Sequence, residues 1–346
     1  MCNGVPLWRR ALSLVVPVVF STLTFQTASA HVKWFCAYDV AGQPRGLENI
    51  LCPNFEELIG LAIFFLVAGC IVEQTSLGEP MLRSLDRVTS WLRSHTELLF
   101  RVVVGGFLVA LWFMGGIILT PELKTASMLI PWLQLAMAAC LIWRRTVPLT
   151  AAGICMLYVI AVWNYGIFHL ADYPIFLGIA AYLTLTALDK DLFGLRPLDV
   201  VRWATAITLM WASIEKWAYP EWSFPLFIQH PAVTMGFEPE FFMRAAGVVE
   251  FALAFSLLWT PLVRRFSAII LAAMFISAIF EFGVIDAIGH SCIIVVLFAI
   301  VADDVRAPSL RLRQLALAPA CFAVALAATL AVYYVLHTVL FGTTIT

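Results

Sequence analysis

Charge is scarce in this chain. Asp, Glu, Lys and Arg make up 12% of its 346 residues, where an average soluble domain has about 25%. That shortage, with 62% hydrophobic residues and a mean hydropathy of +0.93, excludes an ordinary soluble domain. The formal net charge is −1, so capture of nucleic acid has no electrostatic support. There is no Walker loop, no dinucleotide-type glycine fingerprint, no HExxH and no CxxC, which removes the readings those motifs carry. Low-complexity tracts are absent too.

What remains is apolar sequence in membrane-length runs. A helix of about 17–25 apolar residues spans a bilayer. Ten runs qualify, some marginally: 57–74, 101–120, 126–143, 147–169, 174–188, 203–219, 241–260, 266–285, 289–302 and 315–340. The fold class expected is all-α, a polytopic transmembrane helical bundle of about ten helices with the lipid bilayer as its partner. Ahead of them stands a secretory signal peptide over residues 1–30. Arg9 and Arg10 give its basic flank, Ala11 to Phe25 its apolar core, and Ala28-Ser29-Ala30 a small-x-small cleavage site. Cleavage there makes His31 the first mature residue.

Lys and Arg orient the spans, because cytoplasmic loops collect them. With residues 31–56 outside, the inner stretches hold fourteen basic residues, among them Arg83, Arg144, Arg145, Arg264 and Arg265. The outer side holds five: Lys33, Arg45, Lys124, Lys216 and Arg244. A bacterial cytoplasmic (inner) membrane location follows, with the mature N-terminus and the C-terminus outside. Within 57–100, after the first span, Leu82, Leu85, Val88, Trp91 and Leu92 recur at helical spacing opposite Arg83, Arg87 and Arg93. This is the pattern of an interfacial amphipathic helix.

The outer loop contains Cys36 and Cys52. Two cysteines in an exported loop read as one structural disulfide, with a redox-active pair as the alternative. Five of six histidines fall at or near the outer face. His31 would offer both an imidazole and the free α-amine to a metal, and His230 or His169 a second imidazole, a nitrogen set that suits copper.

Segments 101–188 and 203–302 read as two copies of a four-helix unit. Each opens on an arginine, Arg101 or Arg202. Each carries an arginine pair in its middle inner turn, and each ends its third helix in similar text, Tyr165-Gly166-Ile167-Phe168-His169 against Phe282-Gly283-Val284-Ile285-Asp286. Gln134 and Glu250 stand at comparable places in the second helices. Both copies start inside, so the repeat axis lies along the membrane normal.

The second unit resembles the DoxX-like family of small four-helix membrane proteins. The matching text is Ala246-Gly247-Val248-Val249-Glu250, the apolar run to Trp259, the Arg264-Arg265 turn, the helix from Ser267 to Met274, and Ile214-Glu215-Lys216-Trp217. The likeness covers about 100 residues. It implies a four-helix fold and an accessory role in periplasm-facing, quinone-linked redox chemistry with a periplasmic or membrane redox partner.

Glu250 is the most informative residue. A carboxyl deep in an apolar helix is paired, turned inward or used. Counting 1.5 Å per residue places it near mid-membrane, with Glu215, Arg244 and Glu281 roughly 5 Å below the outer surface and His290 close above. The expectation is an Arg244-centred carboxylate network over a buried acid. Arg244, Glu215, His290 and Trp217 would contact a ligand, with Trp211, Phe251 and Phe282 lining the apolar part, and Glu250 or Glu281 would relay protons to a quinone. Ion pairs that only pin helices, a proton-coupled small-molecule transporter, and a copper-handling protein using His31 stay open as alternatives.

Overall fold

The computed structural model describes residues 32–306 and 311–344. The signal peptide, its cleavage site and His31 lie outside the described residues. Among them the chain is helical, with only two isolated β-bridges. The principal helices are α1 (Pro53–Gln74), α2 (Thr96–Met114), α3 (Leu129–Cys140), α4 (Val147–Tyr165), α5 (Pro174–Leu188), α6 (Pro197–Ala218), α7 (Pro239–Ser256), α8 (Pro261–Phe282), α9 (Val284–Ala302) and α10 (Arg311–Phe341). Proline opens five of these at their first position, where its missing N–H is not needed.

Among the described residues, six helices are long and apolar enough to cross a membrane: α1, α2, α4, α8, α9 and the 315–341 part of α10. α3 and α5 are apolar but shorter. α6 and α7 are long enough but carry charged residues, Asp199, Arg202, Glu215 and Lys216 on one, Glu240, Arg244 and Glu250 on the other. Large apolar side chains on the outer surface, such as Phe64, Phe65, Trp163 and Phe280, are exposed as a lipid-facing surface requires.

Helix packing follows a simple plan. α2–α5 contact one another in ring order, and so do α6–α9. The two rings join twice, through α5 against α6 and through α9 against α2. α1 and α10 pack together and cover α7. The two motif glycines behave alike: Gly166 ends α4 at φ +85° and Gly283 ends α8 at φ +82°, backbone that a side chain would strain.

The run 101–120 does not stay helical to its end. α2 stops at Met114, and Gly115 and Gly116, both at positive φ, turn the chain into a tucked hairpin. Gln134 of α3, fully buried, holds that hairpin by donating to Ile117 O (3.0 Å) and accepting from Leu119 N (3.3 Å).

The expected disulfide is not formed. Cys36 packs with Leu226 and Phe282, whereas Cys52 caps α1 against the main core, and both thiols are free.

Opposite ends of the bundle differ in charge. At one end the segment 39–45 meets the C-terminal end of α10: His337 Nε2 bonds Val40 O (2.9 Å) and Gln43 Nε2 donates to Thr344 O (2.8 Å). At the other end arginines dominate. Arg196 and Arg264 both grip Asp303 (2.9 and 2.8 Å). Arg265, fully buried, reaches Asp86 (2.5 Å) on the amphipathic helix Gly78–Val88, so that helix is tied to α8 while its Val88 stays exposed.

Burial pushes the Asp303 carboxyl up, but the Arg196 hydrogen bond and the Arg264 charge more than offset this and hold it below the ordinary carboxylate value. A depressed pKa contributes stability above the unfolded value that is lost as pH falls through the folded one. Thermal unfolding of Asp303→Asn should therefore show a smaller drop in stability below about pH 4 than the wild type; equal acid sensitivity would contradict this coupling.

Candidate functional site

A cavity of about 270 Å³ lies inside the bundle, near the lower end of small-molecule pockets (roughly 300–1,000 Å³). It is drawn from both rings and from the short helix Val32–Phe35. Part of its lining is aromatic and apolar: Trp34, Phe176, Met274, Phe275, Ala278 and Phe282. The rest includes three acid–base groups.

The first group centres on Lys33. Its Nζ donates to Glu215 Oε1 (2.6 Å) on α6 and to Asp172 Oδ2 (2.8 Å) beside α5. The lysine side chain is 1% exposed. One buried ammonium thus bridges the two rings. Burial alone would lower the Lys33 pKa, but Asp172 and Glu215 more than reverse this and raise it above the usual lysine value. Tyr38 and Trp222 face the same ammonium. The second group is Lys216 Nζ on Glu250 Oε2 (2.7 Å), joining α6 to α7. The third is His290 Nδ1 with Asp286 Oδ2 (2.9 Å), one turn apart on α9. Asp286 is 1% exposed, and its Oδ1 has no hydrogen-bond partner among the described residues.

Packing holds the aromatic lining close. Trp34 and Phe275 lie on the His290 ring at 5.1 and 4.6 Å between centroids. Gly289 allows this approach, since a Cβ there would sit 1.8 Å from the Trp34 ring. Gly289→Ala should cost about 1–3 kcal/mol by forcing the indole away; an unchanged thermal midpoint would mean that Trp34 is not seated as described.

The expected set divides. Glu250, Glu215 and His290 line the cavity, with Phe282 in its wall. Arg244, Glu281, Trp217, Trp211 and Phe251 do not. Arg244 binds Glu240 one turn earlier (3.0 Å), and Arg45 shares that acid (2.7 Å), so no Arg244-centred network stands over Glu250. The reason is helix register. Trp217, one residue before the end of α6, donates to Arg244 O (3.2 Å), so the start of α7 stands about a turn above the end of α6. Counting inward from each helix end therefore set Arg244 too deep and missed the Lys216–Glu250 pair. Glu281 is partly exposed and pairs with His230 (2.8 Å). Trp217 packs edge-on to Phe55 (5.0 Å) beneath Gly247.

His230 is thereby engaged by a single carboxylate and His169 by Glu122. Among the described residues no group of three or more His, Cys, Asp and Glu is arranged to hold a metal ion. Of the copper set expected, His31 with His230 or His169, the first ligand lies outside the described residues.

Lys33, Lys216 and Asp172 line the cavity and escaped the sequence reading as site residues. Lys33 counted only as an outer positive charge. Its signal was position, a lysine beside two aromatics at the head of the chain's first outer segment. Asp172 stands just before Tyr173-Pro174, where a span starts, and read as a loop residue. No protein-family model, no curated protein and no solved structure matches this chain.

Proposed function

We propose that this protein is a DoxX-like integral membrane protein that binds a quinone headgroup in the inter-ring cavity, as an accessory subunit in periplasm-facing redox chemistry. The observation that carries the reading is the cavity's mixed lining: aromatic side chains share it with Lys216–Glu250 and Asp286–His290. Ring carbonyls need donors, and the Lys216 ammonium lines the cavity, where it can supply them. The hydroxyls of a reduced ring need acceptors, and Asp286 Oδ1 is a buried oxygen without a donor. Two electrons would come from the redox partner; Glu250 and His290 exchange the two protons that accompany them. On α8 the cavity residue Met274 stands one turn from the exposed Ile270, an exit for an isoprenoid tail into lipid.

The family-like architecture is read as ten spans after a signal peptide, with a tandem repeat of α2–α5 and α6–α9. Support comes from the same ring order in each set and from the reciprocal joins, fourth helix to first in both directions. Gly166 and Gly283 add matching backbone. The chain is placed in a bacterial cytoplasmic membrane with segment 39–45 and the C-terminal tail outside. Their contact at one end, and the arginine-rich opposite end, support that orientation.

Titration of the purified protein with a short-chain quinone tests the reading: saturable binding is expected, and none would overturn it. A proton-coupled transporter is the second reading. It is favoured by charge count, since Asp172, Glu215, Glu250 and Asp286 share the cavity with only Lys33, Lys216 and His290. Uptake into proteoliposomes driven by a proton gradient and abolished in Glu250→Gln would select it.

A further inference from the structure

Acceptors outnumber donors in the cavity. Asp172, Glu215, Glu250 and Asp286 all line it, against the ammoniums of Lys33 and Lys216. Lys33 already serves Asp172 and Glu215, and Lys216 serves Glu250. The phenols in the lining donate elsewhere, Tyr173 Oη to Glu122 Oε2 and Tyr219 Oη to Gly42 O (2.8 Å). An ionised carboxylate only accepts, so the shortage of donors falls on the acids.

Two oxygens carry that shortage. Asp172 Oδ2 takes Lys33 (2.8 Å) and Asp286 Oδ2 pairs with His290 Nδ1 (2.9 Å), while Oδ1 of each aspartate has no hydrogen-bond partner among the described residues. The two residues are 3% and 1% exposed. One comes from each ring: Asp172 stands just ahead of α5, and Asp286 lies in the first turn of α9. Both border the short helix Val32–Phe35, where Lys33 bonds Asp172 and Trp34 lies on the ring of His290, the partner of Asp286. A buried acceptor left without a donor costs about 1–3 kcal/mol, so a ligand that brings two donors gains what a ligand without them does not.

We infer that the cavity selects the reduced form of its ligand, binding the quinol through its two hydroxyls more tightly than the quinone. The inference deepens the quinone-binding reading and rests on it. A quinone brings only acceptors, and its carbonyl oxygens would set acceptor against acceptor at Asp172 Oδ1 and Asp286 Oδ1. The quinol carries an O–H for each of those oxygens. Lys216 can donate to a ring oxygen in either form, so it supports binding without choosing between them.

The preference has a redox consequence. Quinone, two electrons from the redox partner and two protons give the quinol, so tighter hold on the quinol raises the potential of the bound couple above that of the free one. For a two-electron couple a tenfold preference is about 30 mV. Two newly paired acceptors make the preference roughly a hundredfold, which is about 60 mV. The site is thereby an electron acceptor. The reaction that feeds it oxidises a donor, and oxidation of quinol at this site is disfavoured.

Anaerobic titration of the purified protein with a short-chain benzoquinone, and separately with its two-electron-reduced quinol, tests the inference by tryptophan fluorescence. The quinol should bind roughly a hundredfold more tightly. Asp172→Asn and Asp286→Asn keep the volume but exchange an acceptor oxygen for an amide that donates to a carbonyl. Each should cut the ratio about tenfold, the quinol losing affinity while the quinone holds or gains it. An aspartate with a merely structural role would weaken both forms equally. Glu281→Gln alters an acid that pairs with His230 outside the cavity and should keep the wild-type ratio. The wild-type ratio and either asparagine variant suffice if the other variant fails to fold. Equal affinities in the wild type, the result if ordered water fills both acceptors, or an unchanged ratio in the folded asparagine variants, overturn the preference and leave quinone binding standing. Binding of neither form overturns both.

Discussion

Lys33→Met should destabilise the protein by about 3–5 kcal/mol, because removing one partner leaves buried charge uncompensated. The lysine is the sole ammonium within salt-bridge distance of Asp172 and Glu215 among the described residues. Without it, two buried acids from different rings lose their shared cation. Thermal unfolding in detergent reads the loss. The companion variant carries the argument: Lys33→Met combined with Asp172→Asn and Glu215→Gln should recover most of the stability, since a buried group without net charge no longer needs its ammonium. A single variant as stable as the wild type would remove Lys33 as the bridge between rings. A triple variant no better than the single would mean that packing of the Val32–Phe35 helix, rather than charge, is what matters.

Glu250→Gln should weaken quinone binding by about 2 kcal/mol, roughly thirtyfold in Kd. The glutamate keeps Lys216 paired and aimed at the cavity. Glutamine retains the volume but leaves the ammonium without its counter-charge. Arg244→Ala is the control. Arg244 is bonded to Glu240 outside the cavity, so its loss should leave binding unchanged. Equal weakening in both variants would return the site to the arrangement expected from helix-end counting.

Much of the architecture was legible in the sequence because bilayers impose simple rules. Apolar length marked the helices, and arginine placement marked one end of the bundle. The charged helices α6 and α7 were legible for the same reason that they fail a plain apolarity test: Glu215, Lys216 and Glu250 are costly there and stand out. Three kinds of information were not legible. Relative helix height is set by tertiary packing, so Arg244 was placed level with Glu215 when α7 starts about a turn higher than α6 ends. Chain re-entry was hidden as well: two glycines turned the end of a predicted span into the hairpin that carries Glu122. Long-range pairing was the third, for nothing in Lys33 itself points to acids 139 and 182 residues away. The cysteines show the limit of spacing. Cys36 and Cys52 share a loop yet pack on different clusters, so proximity in sequence did not bring the sulfurs together.

The central claim is that the inter-ring cavity holds a quinone through Lys216–Glu250 and Asp286–His290. Solvent extraction of the purified protein, followed by quantification of released quinone, tests it most directly. Stoichiometric quinone in the wild type and a large loss in Glu250→Gln is the predicted result. No quinone in either, or the same amount in both, would contradict it.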